Sequence, residues 1–159
     1  AQLTELYNTI GLGALKFFLL RVDPKKKMIF NPEESIDFHG FTGPFIQYTH
    51  ARIKSILRKT GTIVQLNETS LLPLEKALAI ELSNFPSVIN EAAESLDPSK
   101  VAIYAFNLAK LFNSFYAEHS INNAESEDKK QLRIQLGILT AATLHKAMRA
   151  LGIDVPEQM

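Results

Sequence analysis

The sequence has no cysteine, which excludes disulfides and thiolate metal sites and leaves nothing that points to secretion. It has no apolar run long enough to span a membrane. The longest, Leu12 to Val22, is broken by Gly13, Lys16 and Arg21. The opening AQLTELYNTIGLG lacks the basic start and small-residue cleavage pattern of a signal peptide, so a cytoplasmic protein is expected. It also lacks an initiator methionine, as expected of a piece of a longer chain. Net formal charge is zero, which argues against a generic nucleic-acid binder. Strand signals are nearly missing, with TIVQL at 62–66 the one candidate. Recognisable catalytic motifs are missing too. His39, His50, His119 and His145 stand in no H-E-x-x-H arrangement, and Glu33–Glu34 follows Pro32 as ordinary first-turn helix chemistry. GLG at 11–13 lacks a third glycine and a flanking strand, so it reads as a close helix contact. KKKM at 25–28 lacks the continuation of a phosphate-binding lysine loop. The residues describe a chain that binds something rather than transforming it.

What is present is helix. With 159 residues, 46% of them hydrophobic, the chain is large enough to bury a real core. Apolar residues recur at helical spacing from Thr4, a candidate N-cap, through Leu6, Ile10, Ala14, Phe17 and Phe18 to about Leu20. A long connector rich in proline and glycine follows, with one short helix expected at 32–38. The next helix is predicted from Pro44 to Lys59, with Gly61 as its stop. Further helices are predicted at 73–84 and 85–96, and from an Asp97 N-cap with Pro98 at the first position to about His119. Glu125, Glu127 and Asp128 mark the start of a last helix. Its expected stripe is Leu132, Leu136, Leu139, Thr143, Ala147 and Leu151, and it ends at Gly152. The fold class is all-α, a helical bundle.

The helix at 44–59 carries the functional signal. At 100° per residue Phe45, Tyr48, Arg52, Ser55 and Lys59 share an arc of about 80°. Ile46, His50, Ile53 and Leu57 share another, with Ile56 beside it, and that aliphatic arc is the core face. Two aromatic rings with two cations suit an unpaired nucleic-acid strand, in which bases stack and phosphates meet Arg and Lys. The same pattern also suits a second packing face with solvated cations, and the period leaves both open. Charge is uneven in a way that suits local phosphate contact. Residues 1–60 hold nine Lys/Arg against five Asp/Glu, and residues 61–159 hold eight against twelve. In YAFNLAKLFNSFYAEHS, Tyr104, Leu108, Phe112 and Phe115 form a core face, flanked by Asn113 and Tyr116, with Ser120 one turn on. The tail GIDVPEQM reads as a docked end that seals the bundle.

These residues resemble arginyl-tRNA synthetases over essentially the whole chain. DFHGFTGPFIQYTHARIKSI resembles that family's F-x-G-N-T-G-P-Y-x-Q-Y-x-x-x-R segment. FPSVINEAAESLDPSKVAIYAFNLAKLFNSFY resembles its anticodon-binding domain, and LGIDVPEQM its L-G-I-x-x-P-E-x-M terminus. GLGALKFFLL resembles the helix after its catalytic core, and Arg133 to Leu136 its R-L-x-L motif. The resemblance implies an all-α DALR-type anticodon-binding domain of a class I synthetase over 61–159, preceded by a helix-loop-helix connector over 1–60. It implies tRNA(Arg) as partner, chiefly through the anticodon loop, and an upstream catalytic domain that uses ATP and magnesium. This piece would then hold no cofactor, contact no membrane and be inactive alone. The site residues implied are Phe45, Tyr48, Arg52, Tyr116 and Met159, with Asn113 and Ser120 nearby, and Lys59 joins them from the helical arc. Phe41 stands where the family has Asn, and Phe45 replaces a Tyr, keeping a stacking face without the hydroxyl. The alternative of another class is a helical protein–protein module whose aromatic face buries a partner helix.

Overall fold

A computed structural model describes residues 2–60 and 69–159. The strand candidate at 62–66 and the stop at Gly61 lie outside the described residues. The described chain is all-helical, in the order α1 (Gln2–Leu20), α2 (Pro32–Ser35), α3 (Gly43–Lys59), α4 (Pro73–Ser95), α5 (Ser99–Glu118) and α6 (Glu127–Ala150). α4 and α5 form a helical hairpin across the short turn at 96–98. α6 packs on both, and α3 packs against α1, α5 and α6. The shared core contains Phe17, Ile46, Ile53, Leu78, Leu108, Phe112, Phe115, Ile134, Leu144 and Met148, all but fully enclosed. Each such side chain contributes about 1.5–3 kcal/mol by leaving water.

The α1 stripe from Leu6 to Phe18 faces inward as its spacing predicts, but the helix is already formed at Gln2, so Thr4 is not its cap. Gly13 does make a close helix contact. A Cβ on Gly43 would lie 2.7 Å from the Gly13 carbonyl oxygen, and one on Gly13 would lie 2.5 Å from the Gln47 amide nitrogen. The connector is held by Arg21. Its guanidinium donates to the Phe41 carbonyl, pairs with Glu34 and lies 4.0 Å from the Phe18 ring centroid. α3 opens on Thr42, whose hydroxyl accepts from the Phe45 amide at 3.3 Å, with Pro44 in the first turn.

Three expectations are corrected. The two helices predicted at 73–84 and 85–96 are one helix that runs through Pro86. Pro86 offers no N–H to the turn before it. Tertiary packing overrides that loss, because Phe85 lies 5.5 Å from the Tyr104 ring and the Tyr104 hydroxyl donates to the Glu81 carbonyl at 2.8 Å. Burial, with the charge of Glu81, pushes the Tyr104 phenol well above its ordinary value and keeps it a donor. At the next boundary, Ser126 caps α6 by accepting from the Lys129 amide, and Glu125 lies outside the helix, paired with Arg133. The α6 stripe also differs. Leu136, Ala147 and Leu151 are buried, but Leu139 is 45% exposed, and the buried face takes in Lys129, Arg133, Thr140 and Leu144 instead.

That face carries a charge cluster the hydrophobic pattern does not show. Glu75, fully enclosed, accepts from Lys129 Nζ at 2.5 Å and Arg133 Nε at 2.9 Å, and also from the Leu72 amide at 2.9 Å. Arg133 spends its remaining donors on the Ser120 carbonyl at 2.8 Å and Glu125 at 2.7 Å. Burial pushes the Glu75 carboxyl up, but the hydrogen bonds from Lys129, Leu72 and Arg133 and the charge of Lys129 outweigh it and hold it low. The stability it contributes is complete above the ordinary carboxylate value of 4.5 and is lost as pH falls through its lower folded value. Glu75→Gln is expected to cost about 3–5 kcal/mol at pH 7, because it takes the buried counter-charge from Lys129 and leaves Arg133 with Glu125 alone. The gap from the parent should close as urea unfolding is repeated at acid pH. A second expectation concerns Leu96, which closes α4 at a left-handed φ of 53° while 82% exposed. Leu96→Gly should stabilise by about 1 kcal/mol in the same assay.

Candidate nucleic-acid interface

α3 presents its aromatic-basic arc outward because Ile46, His50, Ile53 and Ile56 bury the other side. Tyr48 remains 44% exposed, with Phe38 edge-on at 6.3 Å. The Arg52 guanidinium lies 5.5 Å from the Tyr48 ring centroid and donates to Asn113 Oδ1 at 3.3 Å. Asn113 in turn donates to the Thr49 hydroxyl at 3.0 Å, and that hydroxyl donates to the Phe45 carbonyl at 2.9 Å. The amide of α5 thus fixes where the α3 cation points. Tyr116 lies parallel to the buried Phe112 ring at 6.2 Å, so a rigid ring backs it.

Two open hollows meet on this surface. One, of about 710 Å³, is bordered by Tyr48, Arg52, Arg58, Lys59, Tyr116 and Met159, with Asn122 and Gln158 at its edge. Three cations and two phenol rings line it, and no Asp or Glu side chain does among the described residues. The other, of about 670 Å³, is apolar. Leu6, Tyr7 and Ile10 of α1 border it with Phe38, Phe45 and Asn113. Tyr48, Arg52 and Met159 border both and form the partition. Seven of the eight residues marked in the sequence therefore lie on two adjoining hollows. Phe45 is half-buried there, its ring 5.1 Å from Phe106. Ser120 borders neither, and its hydroxyl accepts from the Asn123 amide at 3.1 Å. It shapes the turn that brings Asn122 to the rim.

The end of the chain is docked, as its apolar pattern predicts. Ile153 and Val155 are buried, and the Pro156 carbonyl accepts from His50 Nδ1 at 2.9 Å. Burial holds the His50 imidazole below its ordinary value, against the pull of the Pro156 carbonyl and Glu157, so the ring is neutral and donates from Nδ1. Glu157 pairs with Lys54 at 2.9 Å, and that hydrogen bond holds its carboxyl low. Sequence reasoning missed Arg58, Asn122, Phe38 and the α1 residues of the apolar hollow. Arg58 is legible as the neighbour of Lys59. Asn122 and Phe38 lie in irregular segments where no period marks a side chain's direction.

Among the described residues no group of three or more His, Asp or Glu is placed to hold a metal ion, and no helix is long and apolar enough to cross a membrane. The chain is similar to known proteins over most of its length. The DALR anticodon binding domain family profile matches residues 46–159. An arginine–tRNA ligase of Flavobacterium psychrophilum is 53% identical over 155 residues, covering 97% of this chain and 26% of the relative. One of Bacteroides fragilis is 44% identical over 161 residues, covering 98% of this chain and 27% of the relative. The solved structure of Thermus thermophilus arginyl-tRNA synthetase superposes with a TM-score of 0.91 at 35% identity, over 95% of this chain and 27% of that one. The chain spans about a quarter of the length of the curated relatives it matches. The ordered motifs, the all-helical fold of the described residues and these similarities agree: the chain belongs to the DALR anticodon binding domain family, in the form that arginyl-tRNA synthetases carry.

Proposed function

We propose that the chain recognises tRNA(Arg) through its anticodon loop, as the recognition part of an arginine–tRNA ligase. The observation that carries this reading is the hollow, lined by no Asp or Glu side chain, where Tyr48 and Tyr116 stand among Arg52, Arg58 and Lys59. An unpaired base gains stacking from the phenol rings, while the guanidinium and ammonium groups meet the phosphates on either side of it. Met159 and Phe45 supply apolar contact, and Asn113 holds Arg52 in place. Ser120 acts through the turn at Asn122 rather than by touching RNA. In this reading residues 1–60 connect to the catalytic region of a longer chain, and residues 61–159 form the anticodon-binding unit, with α3 supplying the wall between them.

Joining arginine to tRNA consumes ATP with magnesium, and the residues here do not fit either. No Gly-rich loop is present in the sequence, and no cluster of metal ligands occurs among the described residues. No chemical step is therefore assigned to this chain, which is expected to be inactive alone and to contribute binding energy to a catalytic partner domain.

Fluorescence anisotropy with an anticodon stem-loop of tRNA(Arg) tests the assignment. Tyr48→Ala and Tyr116→Ala should each weaken binding by about 1–3 kcal/mol, the worth of a stacked base. Arg52→Ala should lower the slope of log affinity against log salt by about one. Unchanged affinity in both tyrosine variants, with the helical circular dichroism intact, would remove the pocket. Affinity that holds as salt rises would point instead to an apolar protein partner.

A further inference from the structure

We infer that residues 152–159 act as a strap positioned by one stripe of α3, and that Gln47, His50, Lys54 and Glu157 are positioning residues for the RNA pocket. The inference rests on the pocket reading above. The strap is neither helix nor strand over 153–157, and the Ile153 amide donates to the Met148 carbonyl of α6 at 2.9 Å. Its carbonyls are instead taken up by side chains. Lys16 Nζ donates to Gly152 at 2.6 Å, Gln47 Nε2 to Asp154 at 2.8 Å, His50 Nδ1 to Pro156 at 2.9 Å and Arg58 Nη1 to Glu157 at 3.2 Å. Lys54 adds an ion pair to the Glu157 side chain.

Gln47, His50, Lys54 and Arg58 are spaced by three, four and four residues, which places them in an arc of about 80° on α3. That arc shares His50 with the aliphatic core face and runs from it toward the aromatic-basic face. α3 therefore has three faces, and the third holds the strap. Ile153 and Val155 turn inward on alternate residues while the gripped carbonyls turn to α3. Past Glu157 the strap reaches the polar hollow, where Gln158 and Met159 stand beside Tyr48 and Arg52. Where Met159 stands is thus decided by hydrogen bonds made on a different side of the helix. Gln47 is the innermost of these anchors. It is fully enclosed, and its amide nitrogen also donates to the Thr9 carbonyl of α1 at 3.1 Å.

Two variants separate positioning from simple electrostatics. Gln47→Glu keeps the shape but turns an oxygen toward two carbonyl oxygens, so it should loosen the strap. Glu157→Lys lies on an exposed pair and leaves the core untouched. It makes the surface beside the pocket more positive, so electrostatics alone predicts tighter RNA binding, whereas a displaced strap predicts weaker binding. The expected result is a loss of about 3- to 10-fold for Glu157→Lys, largely restored in the swapped pair Lys54→Glu with Glu157→Lys. Amide hydrogen exchange at 153–155 and 157, read without RNA, should quicken in both single variants, and the swap should reverse the effect of Glu157→Lys. Unchanged exchange in both would overturn the strap inference, whatever the RNA data show. If Tyr48→Ala weakens binding and Glu157→Lys does not, the inference falls and the pocket stands. If Tyr48→Ala and Tyr116→Ala are silent while exchange quickens, the pocket falls and the strap remains a structural clamp, which overturns its role in RNA binding.

Discussion

The approach of Gly43 to the Gly13 carbonyl is the constraint on which the working surface depends. A side chain at Gly43 would meet that oxygen at 2.7 Å and the Phe17 Cβ at 3.0 Å, so α1 and α3 touch backbone to side chain with nothing between them. Their separation brings Gln47 within reach of Thr9 and places Leu6, Tyr7 and Ile10 opposite Phe45 and Tyr48. A wider spacing would open the apolar hollow and carry the anchor away from Asp154. Two absent methyl groups thus set the depth of a cleft that neither glycine borders.

The buried charges do comparable work from the other side. Arg133 holds the Ser120 carbonyl and Glu125, and so ties the turn after α5 to α6. Asn122 and Tyr116 reach the polar hollow from either side of that tie. Glu75 and Lys129 fasten the start of α4 to the same helix. The core electrostatics and the surface that bears the two hollows are therefore mechanically joined, although no buried charge faces the polar hollow. Replacing such a cluster with apolar residues often leaves stability unchanged. The hydrogen bonds to a main-chain carbonyl and to Glu125, outside the helix, define the turn in a way that apolar contact does not.

Much of this was legible in the chain, for reasons that differ by element. The α3 arcs follow from a 100° step, because a single helix packed on several sides leaves its period in the residue types. The α1 stripe and the core face of α5 read the same way. Pro86 misled because a proline's local cost was weighed without the Tyr104 and Phe85 contacts that repay it from another helix. The α6 stripe misled because Lys129 and Arg133 count as surface residues until Glu75 is known to face them. The strap grips lie beyond any local pattern. Gln47 and Asp154 are 107 residues apart, His50 and Pro156 are 106 apart, and no spacing within either segment names the other. Ordered resemblance favoured one of the two uses of the α3 face that periodicity left open.

The uneven placement of charge has a consequence for approach rather than for contact. Residues 61–159 hold eight Lys/Arg against twelve Asp/Glu, and among the described residues burial withdraws Lys129 and Arg133 but only Glu75. The surface of the later helices is thus more acidic than the composition suggests, while α1 to α3 carry the basic excess. A neutral chain arranged in this way has a dipole. A polyanion nearing it feels attraction at one end and repulsion at the other, and this turns the molecule before any group touches. The torque acts over about a Debye length, roughly 8 Å at physiological salt. Encounters of this chain with a polyanion are thereby biased toward the face bearing Arg52, Arg58 and Lys59, although the formal charges of its 159 residues sum to zero.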